Sequence, residues 1–378
     1  MKKLKVAMVG GGGGGSFFGR VHWRALSLDG SRELVAGVLR SNPVAALESA
    51  KEWGIQGFPD VPSMIRAWKK GQVEIDYVVV ATPNHAHFKA AKACIEAGLP
   101  VLCEKPMTLT VDESEKLVAL VHAKKVPFVL AHTYTGHPMM MFAREMVRAG
   151  QVGQVRKIES WYSQGWLATA LEKSGQQQAS WRTDPKRTGI SNCGGDIGTH
   201  AFVAATWVSG LSVKRVSARL NTFVKGRKLD DDFNVIAELS NGGTALITAT
   251  QIAIGHKNDC GFRLYGTTGS LEWHQEAAEQ LIVRRPDHDE SYWIGSGAPI
   301  TSAVVSSYLR APAGHHEDFF EALGNLHTTM ERLVRRQRRE KHVPEAYPHP
   351  GVAEGLAGMK FVRAAVRSSK AKGAWTVV

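Results

Sequence analysis

Within the first 133 residues, five short apolar runs, LKVAMV (4–9), SRELVAGVL (31–39), DYVVVAT (76–82), PVLCEK (100–105) and VPFVLAH (126–132), alternate with helical patterns. The intervening segments read GRVHWRALSL, NPVAALESAKEWG, VPSMIRAWKKG, NHAHFKAAKACIEAG and TVDESEKLVALVHAKK. Near-continuous apolar strands joined by crossover helices bury both faces of a parallel sheet, so this order predicts a doubly wound α/β domain over residues 1–133. Helix-end chemistry points the same way. Thr110 with Glu113 forms a capping box, Asn84 stands to cap the helix that ends at Gly98, and Pro43 suits a first turn behind Ser41 or Asn42.

After residue 133 the period changes. One helical segment, MMMFAREMVRAG, is followed by alternating runs: VRKIESWYSQGW, VKRVSARLNTF, NVIAELSNGGTALITATQIA, GFRLYGTTGSLEW and QLIVRR. Asn241-Gly242 between two such runs is a hairpin signal. The expectation for 134–378 is therefore an α+β domain with a large, mainly antiparallel open sheet and helices on one face. IGSGAPITSAVVSS (294–307) reads as a mobile loop.

The first strand runs straight into six glycines, Gly10 to Gly15, with Gly19 beyond them. A glycine turn between the first strand of a parallel sheet and the next helix suits a dinucleotide pyrophosphate, because backbone N–H groups and the helix dipole converge there. Gly10, Gly12 and Gly15 meet the G-x-G-x-x-G spacing, but a homopolymer meets almost any spacing. The helical pattern begins at Gly19, which assigns Gly10 and Gly12 to the tight turn and Gly19 to helix–strand contact. Gly13 to Gly15, Ser16, Phe17 and Phe18 then form an enlarged lip over the cofactor. At the end of the second strand, where NAD sites often carry an acid, stand Arg40 and Ser41. An arginine can pair with a 2′-phosphate, which tilts the expectation to NADP; Ser41 as a helix cap and Arg40 as a surface cation is the plainer alternative.

Composition limits the remaining choices. With 378 residues and 43% hydrophobic content the chain can bury two cores. No apolar run reaches the roughly 20 residues of a membrane span and no secretion signal is evident, so cytoplasmic residence is expected. Cys94, Cys103, Cys193 and Cys260 are scattered, which predicts free thiols and no metal site. The net charge of +12 favours an anionic cofactor or substrate and could also attract nucleic acid, between which charge alone does not choose. ERLVRRQRREKH (331–342) distributes cations around a helix without interleaved aromatics, a solvated surface rather than a nucleic-acid face.

CEKP (103–106) falls at the carboxyl end of the fourth strand, where ligands bind in open parallel sheets. Lys105 there could exchange a proton with a substrate hydroxyl, or could simply pair with Glu104 at the surface. In WRTDPKRTGISNCGGDIGTH (181–200), Asp196 and His200 are four apart and share one face if the segment is helical. A carboxylate beside an imidazole makes a general acid/base; a helix-start cap and a satisfied core histidine would look the same.

Taken together, VGGG...GRVH, TPNHAHFKAAKACIEAGLPVLCEKP, WRTDP...GGDIGTH and the closing GLAGMKFVRAAVRSSKAKGAWTVV resemble, in this order, the signature segments of the Gfo/Idh/MocA oxidoreductases. The resemblance implies an N-terminal Rossmann domain, a C-terminal domain whose open sheet serves homo-oligomerisation as dimer or tetramer, an NAD(P) cofactor, and a sugar or polyol substrate. It maps the catalytic lysine, aspartate and histidine onto Lys105, Asp196 and His200, with a Lys105–Pro106 bond that is often cis. Thr82, Pro83, Asn84 and His87, with Glu104, match the cofactor-lining segments, and Trp181 and Arg182 fall where relatives contact substrate. Trp166 and Tyr134 are further candidates to stack on a sugar, or to pack the core. Two departures stand out: the first loop is long, and AHTYTGHP (131–138) replaces an Asn-x-Arg segment.

The expected activity is hydride transfer between nicotinamide and a ring hydroxyl or ketone of a sugar, glycoside or cyclitol. A non-catalytic dinucleotide or sugar sensor, and a sugar–sugar oxidoreductase that retains its cofactor, are the alternatives.

Overall fold

The computed structural model describes residues 2–13, 17–293, 302–312 and 315–378. Ser16, most of the expected glycine-loop lip before Phe17, and residues 294–301 of the expected mobile loop lie outside them; of the remainder of that loop, 303–306 form a helical turn.

In chain order the elements begin β1 (Leu4–Gly10), α1 (Phe17–Ser27), β2 (Arg32–Val38), α2 (Pro43–Glu52), β3 (Gln56–Gly57), α3 (Val61–Lys69), β4 (Tyr77–Ala81), α4 (Asn84–Ala97), β5 (Val101–Glu104), α5 (Val111–Lys124) and β6 (Phe128–Ala131). They continue α6 (Pro138–Arg148), β7 (Lys157–Ser163), α7 (Gln177–Arg182), α8 (Pro185–Thr188), α9 (Thr199–Ser209), β8 (Val213–Asn221), β9 (Asp232–Leu239), β10 (Thr244–Thr250), β11 (Asp259–Tyr265), β12 (Ser270–His274), β13 (Gln280–Arg284) and β14 (Asp289–Trp293). The chain closes with α10 (Ala303–Ser306), α11 (Phe319–Gln337), α12 (Val352–Lys370) and β15 (Thr376–Val377).

Two compact units result, residues 1–133 with 320–356, and residues 134–319 with 357–378. Residues 320–356, counted from sequence with the second domain, lie in the first unit. Its six strands are all parallel in the order β3-β2-β1-β4-β5-β6. Apolar residues on the strands supply the core: Val78, Val80, Val101, Cys103 and Leu130 pack with Ala91, Ile95, Leu117 and Val121 from α4 and α5. Thr110 caps α5 through the expected box with Glu113, and Asn42 caps α2 with Pro43 behind it. Asn84 does not cap α4. Extended Pro83 occupies that position and Asn84 is the first helical residue, buried to 4% exposure. The basic helix read as solvated surface is also half-buried. Arg335, 3% exposed, reaches Glu331 (2.9 Å), Glu340 (2.8 Å) and the carbonyl of Lys2 (2.8 Å).

The second unit is built on a nine-stranded sheet, β14-β13-β12-β11-β7-β10-β9-β8-β15, antiparallel except for the central β7–β10 pair. In β7, β9 and β10 every second residue is buried. That face is covered by α9, whose residues are almost all buried and which contacts β7, β10 and β11. Asn241-Gly242 turns β9 into β10, with Gly242 at φ +86°. Among the described residues no helix is long and apolar enough to cross a membrane, and the four cysteines are free and buried.

Asp230, just before β9, ties the loop ahead of α9 to the sheet. Its carboxylate accepts from Ser191 Oγ (2.9 Å) and from the N–H groups of Asn192 and Gly194 (both 3.0 Å). Burial nevertheless pushes its pKa up to about 6, against the opposing pull of those donors. A carboxyl raised in the native state holds its proton more tightly there than in the unfolded chain, so stability falls as pH rises between the ordinary value of 3.8 and about 6. Chemical denaturation across that window should show the wild type losing stability relative to Asp230→Asn as pH increases; the opposite slope would mean that the three donors hold the anion.

Candidate functional site

At the C-terminal edge of the parallel sheet, the glycine turn is made of backbone alone. Gly10 and Gly11 have φ of +86° and +84°. A Cβ on Gly10 would lie 2.7 Å from the Ala81 carbonyl oxygen, and one on Gly12 would lie 2.4 Å from Leu39 Cβ. Gly12 N–H donates to the Leu39 carbonyl at 3.0 Å. A Cβ on Gly19 would approach the Gly11 oxygen to 2.2 Å, so α1 touches the strand turn backbone to backbone. Gly11, which sequence reasoning passed over, is thus part of the turn. The helix begins earlier than expected: Phe17 is its first assigned residue, 62% exposed, and Phe17 and Phe18 belong to α1 rather than to a loop. Arg40 is exposed after β2 with its Nε 4.0 Å from the position of a Gly13 Cβ, and Ser41 is exposed beside it.

Thr82, Pro83 and Asn84 continue from β4. The buried Thr82 Oγ1 has no hydrogen-bond partner among the described residues. His87, one turn into α4, clamps two segments together: Nε2 lies 2.7 Å from the Thr82 carbonyl and Nδ1 2.7 Å from that of Pro106. Burial lowers the His87 pKa while the two carbonyls pull it back up. The clamp fixes the strand-end turn that carries Glu104, Lys105 and a cis Lys105–Pro106 bond. Lys105 N–H donates to Glu104 Oε2 at 3.2 Å. A backbone cradle that excludes Cβ atoms, a helix N-terminus and an unsatisfied hydroxyl together fit a dinucleotide phosphate.

In the second unit the segment from Gly194 to Gly198 is a π-helical turn leading into α9, a geometry frequent at functional sites. Phe233 sets its path, since a Cβ on Gly194 would lie 2.5 Å from that ring. Asp196, 7% exposed, accepts on Oδ2 from Arg182 Nε and from Gln251 Nε2, both at 3.0 Å. Gln251 in turn accepts from Asn192 Nδ2 at 2.8 Å. Arg182 lies over aromatic rings, its guanidinium carbon 4.2 Å from the Trp181 ring centroid and 5.7 Å from that of Trp166. Its Nη1 also donates to Gln178 Oε1 at 2.7 Å. The arginine expected to meet substrate is therefore engaged with the aspartate.

His200, 9% exposed, lies against two tyrosine rings, with centroid distances of 5.0 Å to Tyr134 and 5.7 Å to Tyr162. The two hydroxyls are 2.6 Å apart, and that of Tyr162 donates to Asn258 Oδ1 at 2.8 Å. Burial holds both phenols well above their ordinary pKa. Gln251, Asn192 and Tyr162 were not foreseen. The signal for Gln251 was its parity, because it continues the buried positions Ala245, Ile247 and Ala249 of β10 and is itself 0% exposed. Among the described residues no group of three or more His, Cys, Asp or Glu could hold a metal ion.

Residues 4–132 match the GFO/IDH/MocA oxidoreductase family with its NAD-binding Rossmann fold, and residues 140–272 match that family's C-terminal domain. The fold is similar to that of an inositol dehydrogenase homologue from Azotobacter vinelandii solved with NAD+, at TM-score 0.91 and 29% identity, covering 100% of this chain and 98% of that one. An oxidoreductase from Sinorhizobium meliloti is 34% identical at TM-score 0.86, covering 99% of both chains. Levoglucosan dehydrogenase from Pseudarthrobacter phenanthrenivorans is 28% identical over 75% of this chain and 76% of its own length. With two consecutive family domains matched over most of its length, the chain belongs to the GFO/IDH/MocA oxidoreductases.

Proposed function

We propose that this oxidoreductase is an NAD(P)-dependent dehydrogenase or reductase acting on a ring hydroxyl or ketone of a sugar, glycoside or cyclitol, with Lys105, Asp196 and His200 as its catalytic residues. The observation that carries this reading is Asp196, a buried carboxylate held on one oxygen by Arg182 and Gln251, four residues ahead of a largely buried histidine. The resemblance of the whole chain to an inositol dehydrogenase homologue and to levoglucosan dehydrogenase supports the polyol or sugar class. A bound nicotinamide dinucleotide supplies the hydride acceptor in oxidation and the hydride donor in reduction.

Residues Gly10 to Gly13 and the start of α1 would hold its pyrophosphate, with Phe17 over the turn and Thr82, Pro83, Asn84, His87 and Glu104 lining the adjacent edge. In oxidation His200 accepts the hydroxyl proton, and Asp196 stabilises the imidazolium so formed. Lys105 donates a hydrogen bond to the oxygen on which negative charge grows. In reduction His200 returns the proton to the oxygen. Trp166 and Trp181 offer ring faces that stack on the apolar side of a sugar, while Tyr134 bounds His200. Arg182 contributes through Asp196, fixing its orientation and offsetting its charge. Arg40, exposed at the end of β2 with no acid in its place, favours a 2′-phosphate and extends the proposal to NADP. A homo-oligomer formed on the open sheet face lined by Arg263, Tyr265, Glu272 and Arg284 belongs to the same reading.

Absorbance of the nicotinamide, followed with NAD and NADP against a panel of inositols, free sugars and glycosides, tests the reaction class. Lys105→Ala and His200→Ala should each lower kcat by about 100-fold or more while cofactor Kd changes little, the size expected for loss of a positioned acid/base. Equal losses in turnover and affinity would remove the assigned roles. Arg40→Ala should weaken NADP binding about 10-fold or more, as expected for loss of a charge-assisted phosphate contact, and leave NAD binding nearly unchanged. Equal effects on the two cofactors would make Arg40 a surface cation.

A further inference from the structure

The first unit contains a line of four buried polar side chains that the steps above leave without a role. His22 Nε2 lies 2.9 Å from Glu104 Oε1, and His22 Nδ1 lies 3.1 Å from His327 Nε2. His327 Nδ1 lies 2.9 Å from the Tyr77 hydroxyl. His22, His327 and Tyr77 are 0% exposed and Glu104 is 6% exposed. They come from α1, α11, the start of β4 and the end of β5, so four elements far apart in sequence contribute one group each. The second Glu104 oxygen accepts the Lys105 N–H.

A carboxylate only accepts, which sets the direction from that end. With neutral rings, His22 Nε2–H donates to Glu104, His327 Nε2–H donates to His22 Nδ1, and the Tyr77 hydroxyl donates to His327 Nδ1. Every donor points toward Glu104 and no ring nitrogen of the line is left over. The surrounding sheet is apolar, with Val78, Val79, Val80, Val101 and Leu102 all at 0% exposure. Hydrophobic side chains would fill the same space without desolvating four polar groups, so the gain from this arrangement is a fixed position rather than net stability.

We propose that Tyr77, His327 and His22 are positioning residues for Lys105, forming a one-way hydrogen-bond relay that fixes the Glu104 carboxylate and, through it, the main chain and amine of Lys105 at the sheet edge. The proposal deepens the reading of Lys105 as the group that stabilises charge on the substrate oxygen, and rests on it. Its first test needs no substrate. In full-length protein labelled with 15N-histidine, with His22→Gln and His327→Gln used for assignment, both rings should be Nε2–H tautomers near neutral pH. An Nδ1–H tautomer or a doubly protonated ring at either position overturns the relay.

The second test reads Lys105 itself, from the pH dependence of its modification by acetic anhydride measured in peptide maps. His22→Phe should shift the apparent pKa of that amine by about half a unit or more, because the carboxylate of the adjacent Glu104 loses the donor that orients it. His22→Gln, which keeps a donor toward Glu104, should recover part of the shift. Tyr77→Phe removes one hydroxyl and carries the test if His22→Phe fails to fold. An unmoved Lys105 in folded Tyr77→Phe and His22→Phe overturns the positioning role. If Lys105→Ala keeps full turnover on the sugar panel while the lysine shift is seen, the relay stands and the catalytic reading of Lys105 fails.

Discussion

The approach of Gly19 to Gly11 sets the geometry of the first unit. No side chain fits between the two backbones, since a Cβ on Gly19 would lie 2.2 Å from the Gly11 oxygen. That contact fixes where α1 leaves the turn, and with it the direction of the N–H groups at the helix start. It also fixes what comes one turn later, because His22 then falls at hydrogen-bond distance from Glu104 at the end of β5. Glycine turn and lysine-bearing turn are in this way registered against each other by one glycine pair.

The second unit reaches its geometry by different means. Its histidine and aspartate are not held by close backbone approach but by a π-helical turn pinned from outside, by Phe233 against Gly194 and by Asp230 on the loop N–H groups. Around Asp196 the charges are concentrated and nearly dry. Removing one partner of such a buried pair typically costs about 3–5 kcal/mol, far more than a surface ion pair contributes. Arg182, flanked by Trp166 and Trp181, therefore links the state of Asp196 to the two tryptophans.

Much of this was legible in the sequence, for identifiable reasons. The parallel sheet could be read because its strands are apolar on both faces, and the capping box of α5 because Thr110 and Glu113 act within one turn. Local rules failed where tertiary context decided. Asn84 has the chemistry of a cap, yet Pro83 takes the extended position and Asn84 is drawn into the buried first turn. Arg335 looks like a surface cation because its partners Glu331 and Glu340 are close in sequence but the carbonyl of Lys2 is not. Asp196 and His200 were singled out by spacing, whereas Gln251 and Asn192, which orient the aspartate, carry no charge and no motif. The line from Tyr77 to Glu104 was invisible because its members meet only in the fold: His22 and His327 are 305 residues apart.

The return of residues 320–356 to the first unit has a consequence for how the protein is made. A ribosome that has released residues 1–133 has delivered all six strands of the parallel sheet but not α11, which brings His327 to Tyr77 and Arg335 to the Lys2 carbonyl. The parallel-sheet unit must wait, with a polar seam in its interior still uncovered, until residues 320–356 have emerged. Its completion is a late, long-range event, and residues 134–319 of the second unit are translated inside that interval.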